Sequence, residues 1–199
     1  SSTSRGLGDV YKRQVRARHA LAWDASLKPI GEGSLGKEPF EAWWARNHHR
    51  LTNLHPLVAE QWVYKCWRHS PFCHLPLECL SCRVERWTVE RILRDVAWGM
   101  PDSDEDPEFN FRVFHGKEFE PGRTMDATGT WNIPPVILEA PDGLLTDTGE
   151  HPETRYWLIE GHQRRRYLHA LAFHQVGGGQ PGFLHEVFLL SIRDARSAS

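Results

Sequence analysis

The chain has 199 residues, 40% of them apolar, with nine Trp and nine Phe. That is enough to bury the core of one domain, or of one domain with a helical extension, and each buried ring hides roughly 150–250 Å². Its 24 Lys and Arg against 26 Asp and Glu exclude a general nucleic-acid coat or a polybasic membrane binder, which need a basic excess, but are compatible with a small local basic site.

Ser1–Gln14 (SSTSRGLGDVYKRQ) has no hydrophobic period and no Met at position 1. It resembles translated adapter read-through and is expected to be a non-native scar, with the true N-terminus missing. Residues 15–37, with Pro29 and glycines at 31, 33 and 36, read as an irregular arm. A helical segment is then expected over 38–100. Glu38-Pro39 makes a first turn, and Phe40, Trp43 and Trp44 form one apolar face of a helix running to about His49. A second helix fits Pro56–His69, stopped by Ser70-Pro71. A third fits Trp87–Trp98, where Val89, Ile92, Leu93 and Val96 recur at helical spacing before Gly99.

The acidic stretch Pro101–Glu108 separates this segment from a domain expected over 109–193. Phe109, Phe111 and Val113 alternate with polar residues and predict a strand, and Glu118–Thr130 reads as a loop. Val136-Ile137-Leu138 predicts a strand ended by the Pro141-Asp142-Gly143 turn, and Leu144–Glu153 a polar insertion. Arg155–Ile159 predicts a strand, Arg164–His174 a helix, and Val187–Ile192 a last buried strand. Strands near 110–114, 135–139, 156–160 and 186–192 are expected to share one sheet, in an α/β (α+β) fold with a small mixed sheet behind a helical N-terminal segment.

The stretch that carries chemistry runs from Trp157 to Leu171. A strand feeds a helix through Gly161 alone. The first helical N–H groups lack intrahelical partners and the helix dipole adds positive charge there. With His162 and the forked guanidinium of Arg164 in the first turn, this is an anion site, most often one for phosphate.

Ile159-Glu-Gly-His-Gln-Arg164 is similar to the Gly-x-x-Arg signature of the ParB/sulfiredoxin superfamily, and Pro135–Gly143 resembles that family's preceding strand and Asp-Gly turn. The resemblance covers residues 131–174. It implies a nucleotide site, binding a nucleoside triphosphate or diphosphate with Mg²⁺. Gly161 takes the place of the turn glycine and Arg164 that of the phosphate arginine, with His162, Gln163 and Arg165 beside them. Glu160 stands where the free-serine kinases of that superfamily carry Asp, and is expected, with His162 and Asp126, to serve catalysis by phosphoryl transfer or nucleotide hydrolysis. No Cys follows Gly161 and no helix-turn-helix is evident after residue 175, so sulfiredoxin chemistry and chromosome-partition DNA binding are not implied.

Arg123 and Asp126, in the Gly122–Trp131 stretch, suit a phosphate or its metal, and Asp126, Glu139 and Glu160 are candidate Mg²⁺ carboxylates. Cys66, His69, Cys73, His74, Cys79 and Cys82 are close in sequence, but only Cys79 and Cys82 have the spacing of a zinc knuckle. His48, His49, Asn53 and His55 read as helix caps or packed side chains. There is no Gly-x-Ser-x-Gly elbow, Walker loop or His-Glu-x-x-His. No apolar run approaches the ~20 residues that span a bilayer. A cytoplasmic protein with reduced cysteines and no membrane partner is expected. The alternatives to a nucleotide-binding domain are a non-enzymatic module, holding a protein through the Trp-rich helices or a nucleic acid, and a small zinc-stabilised interaction protein.

Overall fold

The structure is a computed structural model that describes residues 23–31, 36–67, 70–99, 106–146, 149–151 and 153–192. The expected scar, most of the arm, residues 101–105 of the acidic stretch, and His69 lie outside the described residues. The fold is mixed α/β. The chain forms two compact units, residues 1–82, 140–155 and 191–199 in the first, and 83–139 with 156–190 in the second.

In the first unit, helix α1 (Phe40–Asn47) starts after Pro39 and buries Trp43 completely. The Trp43 indole Nε1 donates to the Leu27 carbonyl at 2.7 Å. A single turn, α2 (Pro56–Val58), begins with Pro56 and passes into a π-helix over Ala59–Tyr64 that buries Trp62 and Val63. Trp62 meets Trp23 edge-on at 5.3 Å and donates to Ser70 Oγ at 2.9 Å. Trp43 and Trp62 are therefore core, while Phe40 and Trp44 flank Trp43 half-buried. The second helix is shorter than its sequence pattern predicts: the π segment ends at Tyr64, and residues 65–67 turn away from helical geometry. Strands β4 (Leu144–Thr146) and β5 (Gly149–His151) form an antiparallel hairpin where an insertion was expected.

The five-stranded sheet has the order β1-β7-β3-β6-β2, with β1 Leu80–Thr88, β2 Val96–Ala97, β3 Val136–Glu139, β6 Tyr156–Glu160 and β7 Leu184–Ile192. β3 runs antiparallel to β6 and β2 parallel to it. The expected strands at 135–139, 156–160 and 186–192 share this sheet. The one expected at 110–114 does not: residues Pro107–Phe114 are helix α4. Asp106 accepts the Phe109 N–H at 3.0 Å, Pro107 fits the first turn, and the buried pair is Asn110 and Phe114, four apart. The Glu118–Thr130 loop is likewise corrected to helix α5 (Glu120–Thr128), stopped by the left-handed Gly129. The third expected helix shrinks to α3 (Val89–Asp95), capped by Thr88, with β1 before it and β2 after it, so 38–100 is not all helical.

Helix α6 (His162–His174) follows β6 and is closed by Gln175 in the left-handed region. Ile137, Leu158, Leu168, Leu171, Val187 and Leu189 share the second unit's core with Trp87, Ile92 and Tyr167. Each such side chain contributes roughly 1.5–3 kcal/mol on burial. His185 is wholly buried there, bonding the Gly178 carbonyl at 2.8 Å and Thr130 Oγ1 at 3.1 Å.

Candidate functional site

Gly161 sits at φ 108°, ψ 22°, between β6 and α6. A Cβ there would stand 2.7 Å from Pro135 Cβ and 3.1 Å from its Cα, so both conformation and space require glycine. Helix α6 begins at the next residue, and its first turn has no side-chain cap. Gln163 is exposed. His162 is largely buried, and burial holds its pKa below the ordinary histidine value against Glu160 and a hydrogen bond to the Trp98 main chain.

The three successive arginines go to three faces. Arg164 is 8% exposed; its Nη1 donates to the Ile133 carbonyl, and its Nη2 lies 3.9 Å from Glu160. Burial lowers its pKa and Glu160 opposes that. Arg165 is 6% exposed, lies 4.4 Å from the Trp98 ring centre, and donates to the Leu93 carbonyl at 3.3 Å. Arg166 is half-buried and directs Nε and Nη2 to Asn110 Oδ1 at 3.1 and 2.7 Å. Arg164 braces the turn through the Ile133 carbonyl.

The expected carboxylates are not gathered. Glu139 and Glu160 stand at opposite ends of the β3–β6 ladder, and Glu139 pairs with Arg83 at 2.9 Å. Asp126, on α5, accepts from the Tyr167 hydroxyl and from the Gly116 N–H at 3.0 Å. Arg123 is exposed and paired with Glu120 and Glu118. Among the described residues no three His, Cys, Asp or Glu side chains are grouped to hold a metal ion. The described cysteines and His74 are not grouped as a zinc site would need. None of the four cysteines is in a disulfide.

Asp126 belongs to a constellation that sequence reasoning missed. His115 Nδ1 lies 2.7 Å from Tyr167 Oη and 3.1 Å from Asp126 Oδ1. With the phenol donating to Asp126, the imidazole Nδ1–H donates to the pair. Burial, then the Asp126 carboxylate, raises the Tyr167 pKa far above its ordinary value, so the phenol stays neutral. The His115 ring stacks on Phe111 at 4.3 Å. The three partners come from separate helices and the loop after α4, and no spacing in the sequence announces them.

Compared with known protein families, curated proteins and solved structures, the chain matches none. Among the described residues no helix is long and apolar enough to cross a membrane.

Proposed function

We propose that the second unit is a nucleotide- or phosphate-binding domain of ParB/sulfiredoxin-like type, whose ligand seats a phosphate on the first turn of α6. The observation that carries this is the Gly161 junction: a left-handed glycine, closed in by Pro135, that opens a thirteen-residue helix directly from a strand. Main-chain N–H groups at 162–164 and the exposed Gln163 face the ligand, while Arg164 holds the turn to Ile133. We place the protein in the cytoplasm, where nucleotides are plentiful.

The test is a thermal-shift screen with ATP, CTP, GTP and ADP, each with and without Mg²⁺. A ligand at ~100-fold excess over its Kd stabilises by about 2.7 kcal/mol, so one nucleotide is expected to raise the melting temperature clearly. If none does so at millimolar concentration, the reading fails. The non-enzymatic module then replaces it, and its support is the exposed apolar set Phe109, Val113 and Phe173 on α4 and α6.

A further inference from the structure

We infer that the free edge of β1 is a self-association surface, on which a second copy of this chain adds its own β1, antiparallel, about a twofold axis at Val84. The inference is independent of the nucleotide reading. Among the described residues β1 ends the sheet and pairs with β7 alone. The two strands run antiparallel in one register: Val89 N–H donates to the Phe183 carbonyl at 3.1 Å, Arg86 lies 3.6 Å from Glu186, and Ser81 Oγ meets Ser191 Oγ at 2.7 Å. The Val89–Phe183 bond fixes which main-chain groups face β7. They belong to the odd-numbered residues, because successive residues of a strand alternate. Even-numbered residues turn theirs outward. Leu80 agrees, since its carbonyl leaves the sheet and accepts from Asn53 Nδ2 at 2.8 Å. Among the described residues nothing outside the sheet bonds the main chain of Val84 or Arg86, and Val84 is 52% exposed.

The charges along this edge name the occupant. Arg83-Val84-Glu85 is its own charge complement when reversed. With the axis at Val84, the two Val84 residues face each other as a hydrogen-bonded pair, and their outward N–H and C=O groups make two bonds. Arg83 of each copy then faces Glu85 of the other as a non-hydrogen-bonded pair, the kind in which side chains stand closer. Arg86 comes opposite Cys82, so like charges stay apart. An axis at Arg83, Glu85 or Arg86 would set like charges face to face. Within one chain Arg83 already bonds Glu85 at 2.6 Å and Glu139 at 2.9 Å, which holds both charges in place before a second copy arrives. Charges on an edge ordinarily repel an added strand. This pair admits the one strand that carries the same charges in reverse.

The experiment is sedimentation velocity on the full chain from about 1 μM to about 1 mM, the span between firm and weak association. The parent is expected to pass from monomer to dimer across it. Val84→Pro deletes the outward N–H and no bond to β7, a place on an edge strand where proline is tolerated. It is expected to weaken the dimer roughly ten- to a hundred-fold, because the axis doubles each lost bond. Arg83→Glu and Glu85→Arg are each expected to stay monomeric alone. Mixed in equal amounts, they are expected to form a heterodimer of near-parental affinity, a rescue that a folding defect would not give. A parent that is monomeric throughout overturns the inference. So does a dimer that Val84→Pro leaves unweakened, or a mixture of the two charge variants that stays monomeric.

Discussion

At the first turn of α6, Arg164 and Arg165 point inward and bond main-chain carbonyls of Ile133 and Leu93. Less than a turn further along, Tyr167 bonds side chains, Asp126 and His115. The first region uses charged groups to fix backbone that has no secondary-structure partner. The second uses polar groups to fasten elements that are distant in sequence. An arrangement can be read from spacing only where its parts share one segment. At the Gly161 junction strand, glycine and helix are consecutive; at the α4–α5–α6 seam the partners are 41 and 52 residues apart.

The comparison is broken most directly at Gly161. Gly161→Val places a β-branched residue at φ 108° with its Cβ 2.7 Å from Pro135. Left-handed strain of roughly 1–2 kcal/mol and overpacking of roughly 1–3 kcal/mol together predict a loss of about 3 kcal/mol. Urea denaturation measures it, and a loss below about 1 kcal/mol would mean that the turn does not constrain the junction.

A pH series sharpens the comparison next. Burial holds both His162, at the junction, and His185, in the core, below the ordinary histidine value of 6.5. Unfolded chains take up these protons near that value while the folded protein stays neutral. Stability is therefore full above the unfolded value and falls as pH drops from about 6.5 toward the lowered folded values, by at most about 1.4 kcal/mol per pH unit for each histidine. Urea midpoints between pH 7.5 and 5.5 are expected to fall, and His185→Gln to flatten the slope. A midpoint that rises on acidification would contradict the burial of both rings.

The smallest effect belongs to the seam. Tyr167→Phe removes the hydroxyl that Asp126 accepts, while the Gly116 N–H and His115 remain with the carboxylate. The expected cost is about 1 kcal/mol. A loss as large as that of Gly161→Val would show that this network, rather than the junction, holds the unit together.

The strands β3, β6 and β7 and helix α6 were legible because each is a short apolar run bounded by Pro, Gly or Asp, and tertiary packing agrees with those local signals. Helix α4 was not, although its start was written in Asp106-Pro107. Phe109, Phe111 and Val113 fit a period of two, and only burial of Asn110 and Phe114 shows which period won. Helix α5 was hidden by Gly122, which reads as a loop residue. Its missing Cβ would stand 3.1 Å from the Phe114 carbonyl oxygen, so the glycine permits close approach. β1 was obscured because Trp87 fits the helical face of 89–96 as well as a strand. Of the expected site, the Gly161 turn was legible in sequence. The inward course of Arg164 was not, since its acceptor is a carbonyl and any residue supplies one.

The position of β7 has a consequence for synthesis on the ribosome. The last strand of the described residues lies second in the sheet, between β1 and β3, which are 48 residues apart from end to start. Until residues 184–192 emerge, β1 lacks its neighbour in this sheet and β3 is paired on one side alone, with β6, so the nascent chain carries open strand edges. Pairings of this separation close late and slowly. A chain stalled before Leu184 would expose the same edges indefinitely, which makes it a natural client for a chaperone that shields unpaired strands.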